Sequence, residues 1–83
     1  MKIDLYVKVW CPWCVKAIGA LDALHCEYTV HDVEKEPGAA AAMLAFSGQT
    51  RVPSMQVGSQ VLADFGPEEV KPFLTKLGLI KDC

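Results

Sequence analysis

Along its first nine residues the chain alternates: Ile3, Leu5, Val7 and Val9 fall on one parity, Lys2, Asp4, Tyr6 and Lys8 on the other. A period of two marks a strand whose faces meet different surroundings, so residues 2–9 are predicted as β. The period then changes. Val15, Ile18, Leu21 and Leu24, with Ala17 beside them, recur at the spacing of one helix face, and Pro12 stands where a first turn tolerates proline. A helix is predicted over about 12–25. Residues 26–33 are rich in β-branched and aromatic side chains and read as a second strand; reached through a helix, it should pair parallel to the first.

Pro37 reads as a first-turn proline, residues 39–46 are strongly helix-forming, and Gly48 can supply a left-handed stop. Residues 53–57 and 60–63, joined by Gly58-Ser59, have the form of a hairpin. The last predicted helix, over 66–78, has Pro67 and two acids in its first turn and Gly78 at its stop, with Pro72 expected to kink or restart it. The order is β-α-β-α-β-β-α, an α/β chain without repeat or linker.

Composition limits this order to one small domain, residues 1–83, because 83 residues that are 52% hydrophobic suffice for a single core. No apolar run approaches the roughly 20 residues of a membrane helix, and the opening alternates where a secretory leader would be apolar, so a cytoplasmic location and no membrane partner are expected. Eight basic residues against ten acidic ones give a net charge of -2 without a cationic cluster. Nucleic acid therefore has no electrostatic claim as a partner.

Two of the four cysteines, Cys11 and Cys14, stand at the junction of the first strand and the first helix. Such a close pair is a redox couple, a metal clip or a crosslink. In a reducing compartment a crosslink is disfavoured, and so short a loop contributes little stability. A thiol at a helix N-terminus meets unpaired amides and the positive dipole end, which favour the thiolate that attacks disulfides. On this reading Cys11, nearer solvent, is the nucleophile, and Cys14, one turn inside, resolves the mixed disulfide. Two thiolates also suit Cu(I) or Zn(II), so a metal carrier is the alternative of another class; against it, such carriers run β-α-β-β-α-β, and Pro12 and Trp13 crowd the loop. Cys26 reads as a buried small hydrophobe and Cys83 as a free terminal thiol. His25 and His31 lack ligand-like spacing to the cysteines and are read as structural; no bound metal or cofactor is expected.

Cys11-Pro12-Trp13-Cys14, with Lys8 three residues before it and Val52-Pro53 far downstream, resembles the glutaredoxin family over nearly the whole chain. The resemblance implies a thioredoxin-like fold with a four-stranded mixed sheet and three helices. It also implies a cis Pro53, whose neighbour Val52 offers backbone groups to an extended substrate. The implied activity is reduction of protein or glutathione disulfides by an expected monomer, with glutathione as reductant. Lys8, Trp13, Gln49, Arg51, Val52, Pro53 and Asp64 are the implied substrate contacts. Where glutaredoxins usually carry Gly-Gly-Asp, this chain has Leu62-Ala63-Asp64-Phe65-Gly66-Pro67, more similar to the Ser-Gly-Phe-Arg-Pro-Asp of NrdH-redoxins, with Gly66 in place of the basic residue. Those relatives are reduced by thioredoxin reductase, the alternative electron source.

Overall fold

A computed structural model describes residues 2–78. The element order is β1 (Ile3–Val7), α1 (Pro12–Ala23), β2 (Thr29–Asp32), α2 (Ala39–Ser47), β3 (Ser54–Val57), β4 (Gln60–Ala63), a 3-10 turn (Pro67–Glu69) and α3 (Val70–Lys76). Cys83 lies outside the described residues. The strands form one sheet in the order β2-β1-β3-β4, with β1 parallel to β2 and the other two pairs antiparallel. That is the predicted mixed sheet, in which β1 is central and starts the chain toward the cysteines.

The helices divide between its two faces. Ile3, Leu5 and Val7 of β1 pack with Cys14, Ala17 and Leu21 of α1 and with Val70 and Leu74 of α3. On the reverse face Tyr6 packs with Ala39 and Met43 of α2. The alternation of residues 2–9 therefore separates two cores, and Tyr6, on the polar parity, is itself buried. Each fully buried Leu here contributes about 1.5–3 kcal/mol through removal from water.

Several boundaries differ from the prediction. Strand β1 ends at Val7, and Val9 is exposed. Strand β2 begins only at Thr29, opposite Asp4, so Cys26 lies in the preceding connection, half-buried against the main core. Helix α2 starts at Ala39, with Pro37 ahead of it, and ends at Gly48, whose φ of 72° is the left-handed stop expected of glycine. The final helix restarts at Val70 after the 3-10 turn, placing Pro72 in the first turn of α3, where its missing N–H leaves no bond unmade.

Candidate active site

The chain leaves β1 at Val7 and turns at once, the Cys11 N–H donating to the Lys8 carbonyl at 3.1 Å. Cys11 is the N-cap of α1, in extended conformation, and no side chain caps that end. Pro12 has no N–H to satisfy, and the N–H groups of Cys14 and Val15 reach the Cys11 carbonyl at 3.1 and 3.2 Å. The Cys11 sulfur thus stands at the positive end of the helix. Cys11 is 7% exposed and Cys14 1%. Burial, only partly opposed by the Lys8 backbone amide and reinforced by the Cys11 side chain, pushes the Cys14 thiol up to about 12. The two sulfurs are therefore unequal: both are buried, Cys11 the less deeply of the two, and burial keeps the Cys14 thiol protonated. A sealed second sulfur is poorly placed to grip a metal together with the first.

Two tryptophans flank the pair, Trp10 64% and Trp13 53% exposed. Lys8 lies over Trp10 with its ammonium 5.3 Å from the ring centroid, and Lys16 lies over Trp13 at 4.7 Å. Trp10 Nε1 donates to the Glu34 carboxylate at 2.7 Å, tying the cysteine loop to the segment after β2. Asp32 holds that segment in turn, accepting from the Glu34 and Lys35 amides at 2.9 and 3.2 Å.

The Val52-Pro53 bond is cis, as the family resemblance implies, with Pro53 buried and Val52 partly open. Gln49 braces this loop from within. Its amide nitrogen donates to the Ser47 and Ser54 hydroxyls at 3.0 and 2.9 Å, and its side-chain oxygen accepts from the Arg51 N–H. Buried Ser54 completes the brace by donating to the Arg51 carbonyl at 2.8 Å. Both polar ends of Gln49 are thus engaged inside the chain, whereas its predicted role is a substrate contact. Arg51 and Asp64, predicted as separate contacts, pair with each other at 3.3 Å on the surface.

Asp64 leaves β4 with φ of 50°, a left-handed conformation that Asp tolerates, and the next amide, Phe65 N–H, returns to the Pro53 carbonyl at 3.3 Å. The result is a groove of about 230 Å³ lined by Trp13, Val52, Pro53, Asp64, Phe65, Gly66 and Glu68. It brings together four of the predicted residues, Trp13, Val52, Pro53 and Asp64. Cys11, Cys14, Lys8, Gln49 and Arg51 are not part of its lining, and the groove adjoins the cysteine pair through Trp13. Phe65 and Gly66 were noted only as part of the segment that resembles NrdH-redoxins, not as contacts, and Glu68 only as a first-turn acid; Glu34, whose link to Trp10 spans 24 positions, was not singled out. The available signals were that resemblance and the adjacency of residues 65–68 to Asp64.

His31, read as structural, bridges two carboxylates, with Nδ1 2.6 Å from Glu36 and Nε2 2.9 Å from Asp4, and stacks on Tyr6 at 4.6 Å. Burial lowers its pKa, but the two carboxylates outweigh burial and the net shift is upward. Cys26 contacts the Leu24 carbonyl at 3.8 Å, and burial raises its pKa as well.

A family model described as Glutaredoxin matches residues 3–62. Comparison with curated proteins gave no match. Among solved structures, the thioredoxin-like protein BC3987 is 26% identical with a TM-score of 0.79, the match covering 87% of this chain and 99% of that one. The NrdH-redoxin from Escherichia coli, described as a glutaredoxin-like protein with a thioredoxin-like activity profile, is 24% identical at TM-score 0.75, covering 87% and 93%. A glutaredoxin from Archaeoglobus fulgidus is 19% identical at TM-score 0.77, covering 87% and 84%. The last two likenesses concern the fold, which is thioredoxin-like.

Proposed function

The chain belongs to the glutaredoxin family, and on that premise we propose that it is a dithiol-disulfide oxidoreductase that reduces protein or glutathione mixed disulfides through Cys11 and Cys14. The observation that carries this reading is the inequality of the two thiols, Cys11 at the edge of the helix end and Cys14 sealed with its thiol near 12. An outer sulfur can meet a substrate disulfide without competition from the inner one.

In the cycle, the Cys11 thiolate bonds to one substrate sulfur and expels the other as a thiolate. Cys14 then bonds to Cys11, giving up its proton as the second substrate sulfur leaves. Two electrons have passed to the substrate, and the protein holds a Cys11-Cys14 disulfide that an external thiol donor must reduce. Trp13, Val52 and Pro53 would contact the substrate, the Val52 backbone pairing with an extended segment. Lys8 would act through charge near the thiolate. No bound cofactor takes part, and the protein would work as a monomer in the reducing cytoplasm.

Glutathione is one electron donor that fits; a thioredoxin reductase is the second, and a specific observation favours it. The charged side chains lining the groove are Asp64 and Glu68, while glutathione presents two carboxylates and one amine. The test supplies the oxidised protein with either donor system and a protein disulfide substrate. Cys11→Ser should abolish turnover with both, and substantial reduction by that variant would overturn the assignment. Reduction supported by glutathione but not by thioredoxin reductase would remove the second donor.

A further inference from the structure

We propose that the groove beside Trp13 selects disulfides flanked by a basic residue in an extended peptide, with Glu68 as the side chain that sets this preference. The inference rests on the oxidoreductase reading above and concerns which substrates that site accepts.

The groove has apolar walls, Trp13, Val52, Pro53 and Phe65, and two charged linings, Asp64 and Glu68. These carboxylates are not equivalent. Asp64 has its charge answered by Arg51 at 3.3 Å, whereas Glu68 has no ion-pair partner among the described residues. Nor is its position incidental. A Cβ added at Gly66 would come within 2.5 to 2.8 Å of the Glu68 carboxylate. Gly66 has φ of -96°, open to any residue, and with no side chain on it the Glu68 carboxylate lies over the backbone at the groove wall, where a Cβ would displace it.

The backbone donor at the same place is already used. Gly66 N–H donates to Glu69 Oε2 at 2.7 Å, so the turn that opens at Pro67 does not offer this amide to an incoming anion. One feature withdraws a donor from anions and the other presents an unanswered negative charge. The occupant with matching chemistry is a cation on an apolar stem. A Lys or Arg beside the substrate cysteine would lay its methylenes on Trp13 and Phe65 and bring its charge to Glu68. Lys8 and Lys16 of the protein do not answer the Glu68 charge: neither lines the groove or pairs with Glu68 among the described residues, although Lys16 lies over the Trp13 ring that forms one wall.

The test is single-turnover reduction of three cyclic disulfide peptides, identical except for Lys, Ala or Glu next to the attacked cysteine, by the fully reduced protein. Each peptide gains two electrons and two protons as the Cys11-Cys14 disulfide forms, so no further reductant enters. At low salt the Lys peptide should react about 5-fold faster than the Glu peptide, the size expected of one exposed charge pair made against one repelled, and salt should narrow the gap. Glu68→Gln should bring the ratio near one, and Glu68→Lys should invert it, which misfolding would not do. Gly66→Ala keeps every charge but displaces a flexible carboxylate, and should also lower the ratio.

Equal rates for the Lys and Glu peptides with the wild-type protein would overturn the proposal, as would a Lys preference untouched by the Glu68 substitutions. Failure to reduce even the Ala peptide is a different result: it would overturn the oxidoreductase reading itself, and this inference with it.

Discussion

Alkylation of the reduced protein should label Cys11 far ahead of Cys14, and the margin follows from the burial of the inner sulfur. The rise of the Cys14 thiol from an ordinary 9.0 to about 12 reflects burial first, with a contribution from the neighbouring Cys11. That rise cuts its thiolate fraction about 1,000-fold at neutral pH, while the stronger intrinsic nucleophilicity of a more basic sulfur returns only about 16- to 32-fold at a Brønsted slope of 0.4–0.5. The net loss is about 30- to 60-fold before access is considered, and Cys14 at 1% exposed has almost no access. The assay is limiting iodoacetamide at neutral pH, followed by proteolysis and fragmentation of the peptide spanning residues 9–16, which contains both sulfurs. A single label on Cys11, with Cys14 modified at least about 30-fold more slowly than an ordinary thiol, is the expected result. Comparable labelling of the two, or Cys14 first, would refute the reasoning from burial to protonation to order of attack.

Leu5→Ala empties a fully buried position on the central strand and should cost about 3–4 kcal/mol, read as a lower denaturant midpoint. Gly48→Ala places a side chain at φ of 72° with open space around it, so the cost is conformational alone, about 1 kcal/mol. His31 has its folded pKa raised above 6.5 by two carboxylates, so its contribution is fully present below 6.5 and fades as pH climbs through the raised value. Urea unfolding from about pH 6 to about pH 9 should show that loss, and His31→Asn should flatten it; an unchanged slope would exclude His31 as its source.

What the sequence made legible is what depends on local pattern. Pro12 after an alternating run marks the head of α1, Gly48 marks the end of α2, and the hairpin is readable from Gly58-Ser59 between two β-rich runs. Cys-Pro-Trp-Cys with Val52-Pro53 was enough to point to the family, to the candidate pair and to the cis-proline loop. The missing parts depend on positions that meet only in three dimensions. Tyr6 is buried because α2 covers the second face of β1, and an alternating pattern does not tell water from a second helix layer. Gln49 looks available until Ser47 and Ser54 are seen to share its amide. Arg51 and Asp64 each look free until the chain brings them to 3.3 Å. Glu68 looks like an ordinary first-turn acid, and only the space above Gly66 shows where its carboxylate lies.

In the proposed cycle Cys11 forms the covalent bond to substrate and Cys14 breaks it. Mass analysis of the Cys14→Ser protein after exposure to a disulfide substrate tests this most directly, because the variant retains the attacking sulfur and lacks the resolving one. One stable mixed disulfide is expected, located by fragmentation at Cys11 and released by added thiol. An adduct at Cys26 instead, or no adduct at all while the wild-type protein turns the same substrate over, would contradict it.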